Sequence, residues 1–191
     1  MTNGEMTEKR RLPGFVIGAV VAIGFGTGFI IGNSGGLTAP WPVILRVAAV
    51  VAGVALLIAT FRAGRRVGPT TAAAAPSSSF MGRGYWLVVL VEAIALFGGL
   101  FVVNGVLHRS EVAVAWVALV VGLHFYGLGR VWHTPLYHWL ATGMTLLAVA
   151  GFILYFAGAG AAAVSLVAGV GSGVALYLAV LWPLLQSRRP A

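Results

Sequence analysis

Cysteine is absent from all 191 residues. With it go disulfides, iron–sulfur clusters, thiolate metal sites and thiol nucleophiles. Charge is scarce as well: 8% of residues are charged, against about 25% in an ordinary soluble domain. Familiar catalytic signatures are missing too. The chain has no P-loop, no dinucleotide-binding glycine fingerprint, no Gly-x-Ser-x-Gly elbow and no His-Glu-x-x-His pair. The three serines Ser77–Ser79 have no acid or base beside them. Enzymatic chemistry is therefore a minority reading.

What is abundant is apolar sequence, at 60% of residues. It falls into six near-unbroken runs: Pro13–Gly32, Val43–Phe61, Tyr85–Leu107, Val112–Gly129, Leu136–Phe156 and Ala162–Leu184. At about 1.5 Å of rise per residue, about 20 helical residues cross the hydrocarbon core. Backbone polar groups in lipid must be satisfied within the segment, so each run is expected to be a helix. The expected fold class is all-α, a polytopic membrane protein forming a six-transmembrane-helix bundle. Residues 1–191 are read as a single integral membrane domain, with residues 1–11 a polar tail and residues 62–84 a small-residue linker. A soluble helical protein would need polar faces, and Val112–Val121 offers none beyond Trp116.

The net charge of +8 invites a nucleic-acid reading, which its distribution argues against. If six helices alternate, Lys9, Arg10, Arg11, Arg62, Arg65, Arg66, Arg83, Arg130, Arg188 and Arg189 share one side. Only Arg46 and Arg109 lie on the other. That is the positive-inside asymmetry, so both termini are expected in the cytoplasm and no nucleic-acid partner is expected. The basic rim suits anionic lipid head groups, and the lipid bilayer is the one partner the composition demands. Arginine far outnumbers lysine among abundant Ala, Gly and Val, a composition of GC-rich bacterial genomes. A multi-pass protein of the bacterial cell membrane, the inner membrane, is expected. The first run follows Lys9–Arg11 as a signal peptide would. It is too long for one, and no small-residue cleavage site follows, so it is read as a retained helix.

Glycine and proline punctuate the chain. Asn33–Pro42 reads as an outer turn anchored by Trp41, and Leu107–Glu111 and Gly158–Ala161 as further outer turns. Thr134 and Pro135 read as N-cap and first residue of helix five. Pro13 falls in the first turn of helix one, and Pro183 is expected to end or kink helix six. A 3+3 division would relate the halves by inverted topology, but no sequence match links them.

Glu92 is the most informative single residue, because carboxylates inside membranes are rare and costly. It lies seven positions into helix three, roughly 10 Å deep. His124 lies five positions before the end of the antiparallel helix four, at similar depth. A Glu–His pair there could bind a cation, relay a proton or hold a polar ligand; alternatively it is a buried hydrogen-bonded pair that fixes helix packing. A second polar group gathers near the outer face: Arg46, Asn104, His108, Arg109 and Glu111. Arg46 either snorkels to the interface or pairs with Glu111 at a cavity mouth. The inner segment from His124 to His138 adds Tyr126, Arg130 and His133, in the manner of an interfacial aromatic belt. His133 and His138 lack a defined ligand geometry, and His124 lacks a facing histidine, so neither a metal site nor haem is expected and no cofactor is implied.

Glycines recur at intervals of four: Gly24, Gly28 and Gly32 in helix one, with Ser165, Gly169 and Gly173 at the same spacing in helix six. Residues four apart share a face, and glycine lets a neighbouring backbone approach closely. Tight helix packing within the bundle is expected, with a homo-oligomer seam or a close substrate passage as alternatives. In size and helix count the chain resembles the substrate-binding subunits of energy-coupling-factor transporters. In that family an Ala-x-x-x-Ala pattern in helix one docks a partner. Here helix one has glycines at that spacing, and Ala48/Ala52 and Ala55/Ala59 place the pattern in helix two, so no site residue carries over.

The function expected from these features is binding or transport of a small solute or ion through a buried polar site. Its residues would come from Glu92, His124, Arg46, Asn104, Tyr126 and Arg130. The alternatives are a non-catalytic membrane partner or assembly protein, and a membrane enzyme built on the inner His/Tyr/Arg segment.

Overall fold

A computed structural model describes residues 14–66 and 82–186. The polar tail, the first-turn position of Pro13 and most of the linker lie outside the described residues. Among the described residues the chain is helical, with no strand. Six helices are long and apolar enough to cross a membrane: α1 (Gly14–Asn33), α2 (Trp41–Arg66), α3 (Arg83–Val106), α4 (Ser110–Trp132), α5 (Pro135–Phe156) and α6 (Ala161–Gln186).

Several helices outrun their apolar runs. α2 continues through Arg62 and Arg65, residues assigned to the linker above. Arginine is a good helix former, and a cation near a helix C-terminus favours the macrodipole. α6 passes through Pro183 to Gln186 rather than ending there. Pro183 is exposed in the last turn of the helix, close enough to the end that few backbone hydrogen bonds depend on it. Thr134 does stand at the N-cap of α5 with Pro135 following, but its side chain caps nothing. The hydroxyl instead donates to the Trp132 carbonyl at 3.1 Å. The last turn of α3 (Phe101–Val106) and an early stretch of α6 (Ser165–Val170) are π-helical.

At three of the seams the packed helices run antiparallel, as residue pairs across each show. Along α1 and α2, Val16 meets Gly64 and Thr27 meets Gly53. Along α4 and α5, Gly129 meets His138 and Gly122 meets Thr145. Along α1 and α6, Gly26 meets Tyr177 and Asn33 meets Gly169.

α6 is the centre of the arrangement and packs on α1, α2, α4 and α5. It contributes to both buried clusters. In one, Val164, Ala168 and Leu176 meet Ala115 and Ala118 of α4 and Met144 and Ala148 of α5. In the other, Val170, Tyr177 and Val180 meet Ile23 and Ile30 of α1 and Ala49 and Leu56 of α2. α3 lies outside both clusters, against α4.

The glycine seam expected on α1 faces the wrong way for internal packing. A Cβ added at Gly24, Gly28 or Gly32 meets nothing within 4 Å. The helix contact uses Gly26 instead: a Cβ on Gly173 would lie 2.6 Å from the Gly26 carbonyl oxygen and 2.6 Å from Ile30. Thr27, adjoining Gly26, is the polar side chain in mid-span of α1 and turns the same way, toward Tyr177. On α6 the expectation fits better. Gly169 and Gly173 are buried against α1, and Ser165 is half-buried.

Candidate functional site

The α3–α4 seam is built by small residues receiving large ones. From the start of α3 onward, Gly84 meets Val131, Gly127 meets Val88, and Gly99 meets the Trp116 ring. Tyr85 stacks on Trp132 at the first of these layers with centroids 5.9 Å apart, and Trp116 Nε1 donates to the Ala95 carbonyl at 3.1 Å. Between these layers lie Glu92 and His124, with His124 Nδ1 3.0 Å from Glu92 Oε2.

α3 begins at Arg83, so Glu92 is nine residues in, about 13 Å along the helix. The side chains are 23% and 12% exposed for Glu92 and His124, so the site opens to the edge of the seam rather than lying in the bundle core. Phe125 stands edge-on to the imidazole at 5.7 Å. The separation is that of an ion pair, yet buried Nδ1 makes no hydrogen bond of good geometry. The two groups are close but misaligned.

The other four residues of the expected ligand set are not brought to this pair. Arg46 turns to the α1–α2 connection, where Nε donates to Ser34 Oγ at 3.1 Å. It forms no ion pair with Glu111 among the described residues, because α2 packs on α1 and α6 while Glu111 opens α4. Asn104 is exposed in the π-helical end of α3. Tyr126 faces α5, where its hydroxyl lies 2.6 Å from Thr142 Oγ1. Thr142 spends its proton on the His138 carbonyl, so Tyr126 is the donor. Arg130 is exposed in the last turn of α4, and His133 closes that helix in the left-handed region at φ 53°. His124 faces α3, whereas Tyr126 and His138 meet at the α4–α5 contact. The inner His/Tyr/Arg segment is thus divided between two seams. Among the described residues, no three acidic or histidine side chains gather as a metal site would require.

A second polar cluster had been missed. Tyr177 of α6 reaches between α1 and α2, 2.6 Å from Thr27 Oγ1 and 2.8 Å from the Ala49 carbonyl oxygen. Thr27 Oγ1 is also 2.8 Å from the Ile23 carbonyl oxygen. Two hydroxyl protons serve three short contacts, and together they tie three helices. A tyrosine in mid-span was the available signal, since its hydroxyl needs a partner when buried.

Two surface grooves lie away from Glu92. One, of about 550 Å³, follows the exposed α1 glycines and is lined by Val21, Gly24, Phe25, Gly28, Phe29 and Asn33. The other runs along the C-terminal half of α2. Comparison with protein-family models, curated proteins and solved structures finds no match to this chain.

Proposed function

We propose that this membrane protein binds or moves an ion through Glu92 and His124, and that the ion is a proton. The reading rests on one observation: an acid and an imidazole within 3.0 Å of each other, on two helices of membrane-spanning length. A hard metal cation takes about six oxygen ligands, which a carboxylate and an imidazole do not provide. A proton needs no such shell. Passing it between the two groups interconverts a neutral pair and an ion pair without changing the net charge, which limits the cost of holding ionisable groups in lipid. The partial opening of the seam suits a site that exchanges its proton with its surroundings. The test is proton flux into liposomes carrying the purified protein. Glu92→Gln and His124→Ala are each expected to remove it while leaving a folded protein. Flux at the wild-type level in both variants would overturn the reading.

The cell-membrane orientation belongs to the same proposal, with both termini cytoplasmic. The described basic residues Arg62, Arg65, Arg83 and Arg130 flank one end of the spans, and Arg46 and Arg109 the other. Because the chain has no native cysteine, Thr38→Cys is expected to react with an impermeant thiol reagent from outside, and Ser78→Cys is expected to be protected. The reverse pattern inverts the topology.

A second reading, a membrane partner or assembly protein, is favoured by the open glycine face of α1. It predicts that Gly28→Cys cross-links to a neighbouring chain in native membranes, and a wholly monomeric product counts against it.

A further inference from the structure

We infer that the inner end of α2 is a binding site for one anionic phospholipid of the adjacent leaflet. Val54, Leu57, Ile58, Phe61, Arg62 and Arg65 line a groove of about 440 Å³ on this helix. Their spacing of three and four places them on one face, and all but half-buried Leu57 are exposed.

The dimensions and chemistry of the groove match a lipid standing upright. From Val54 to Arg65 the face is eleven residues long, about 16 Å, the depth of one leaflet in a core about 30 Å thick. Its deep part is wholly apolar and suits an acyl chain. Its shallow end has two guanidiniums one turn apart, at the level where a head-group phosphate lies. Guanidinium pairs with phosphate through two parallel hydrogen bonds and is weakly hydrated, so it gives up water to do so at modest cost. A zwitterionic lipid offers the same phosphate but holds a cation beside it. Charge complementarity therefore selects a head group with net negative charge. Each basic residue near an anionic surface contributes about a fivefold preference, so two give about thirty-fold.

The test is native mass spectrometry of the detergent-solubilised full chain with equal amounts of phosphatidylglycerol and phosphatidylcholine. One retained phosphatidylglycerol per protein is expected, favoured roughly thirty-fold. Arg62→Gln/Arg65→Gln should abolish the preference, and Arg130→Gln, a basic residue outside the groove, should keep it. If the double variant fails to insert, Ile58→Trp decides: it fills the apolar wall, leaves both arginines and should lower retention several-fold. Three results overturn the inference: no preference in the wild type, a preference that survives Arg62→Gln/Arg65→Gln, or full displacement by glycerol phosphate. The last would mean that the arginines bind a soluble phosphate and the groove takes no part.

Discussion

α3 and α6 are both strongly apolar helices of membrane-spanning length, and the bundle treats them in opposite ways. Half of the most apolar stretch of α6 is buried, against 6% for α3. No residue of Arg83–Leu100 is buried, and Leu87, Leu90, Ile94, Phe97 and Phe101 all point outward. The difference lies in small residues. α6 has Ala168, Gly169, Gly171, Ser172 and Gly173, interrupted only by Val170 and spread round the helix, so neighbours approach from several sides. α3 uses Gly84 and Gly99 against α4 alone. In lipid no hydrophobic force gathers helices, because the acyl chains are as apolar as leucine. Hydrophobicity brings a segment into the membrane; the size of its side chains decides whether it reaches the centre.

The largest expected effect comes from removing that advantage from α6. Gly173→Leu would drive side-chain atoms into the Gly26 carbonyl and Ile30, and backbone cannot yield as a flexible side chain can. Overpacking costs about 1–3 kcal/mol, which lowers the melting temperature in detergent by about 5 °C. Gly28→Leu and Gly24→Leu extend into open space and should leave it unchanged. Equal losses for Gly173→Leu and Gly28→Leu would mean that the α1 face is covered, and that the contrast between buried and open glycines fails.

A smaller effect tests whether α6 holds its neighbours by hydrogen bonding as well as by fit. Tyr177→Phe keeps the ring between α1 and α2 but removes the hydroxyl shared with Thr27 and Ala49. Interhelical hydrogen bonds in membranes contribute about 0.6 kcal/mol on average, so a loss of about 1–2 °C is expected. Thr27→Val should cost a similar amount, and the double variant little more, because the two hydroxyls act together. Full additivity would show that they do not.

Depth along a helix was legible from the sequence and direction around it was not. Six runs gave six helices, and counting residues from their ends placed Glu92 level with His124. Counting works because rise per residue is fixed and the spans alternate. Rotation needs a polar marker on one face. Neither Glu92 nor His124 has a second polar residue on its own face, so their contact is a geometric option at the level of sequence. On α1 the available marker is Thr27, which turns toward Tyr177 with Gly26 and leaves Gly24, Gly28 and Gly32 on the open side. The Arg46–Glu111 alternative fails for a related reason: height alone brings the two together, but α2 and α4 belong to different parts of the bundle.

The smallest stability effect is expected at the pair itself, which makes it the sharpest test of what α3 is for. α3 sits at the edge, and the pair is partly exposed there, so few contacts depend on it. Glu92→Gln preserves shape and opens no cavity; His124→Ala removes a ring that touches Phe125 and the α3 seam but no buried cluster. Each variant should cost less in thermal unfolding than the roughly 0.6 kcal/mol typical of polar contacts in membranes, because the pair is partly exposed and poorly aligned. Their coupling in a double-mutant cycle should be comparably small. Proton flux should behave differently: either substitution alone removes it, and the double variant is no worse. A packing pair would give the opposite pattern, with coupled losses of stability and unchanged flux. α3 would then be an outlying copy of α6, held by a single seam. If flux falls while stability holds, this helix is peripheral because its acid must remain able to exchange.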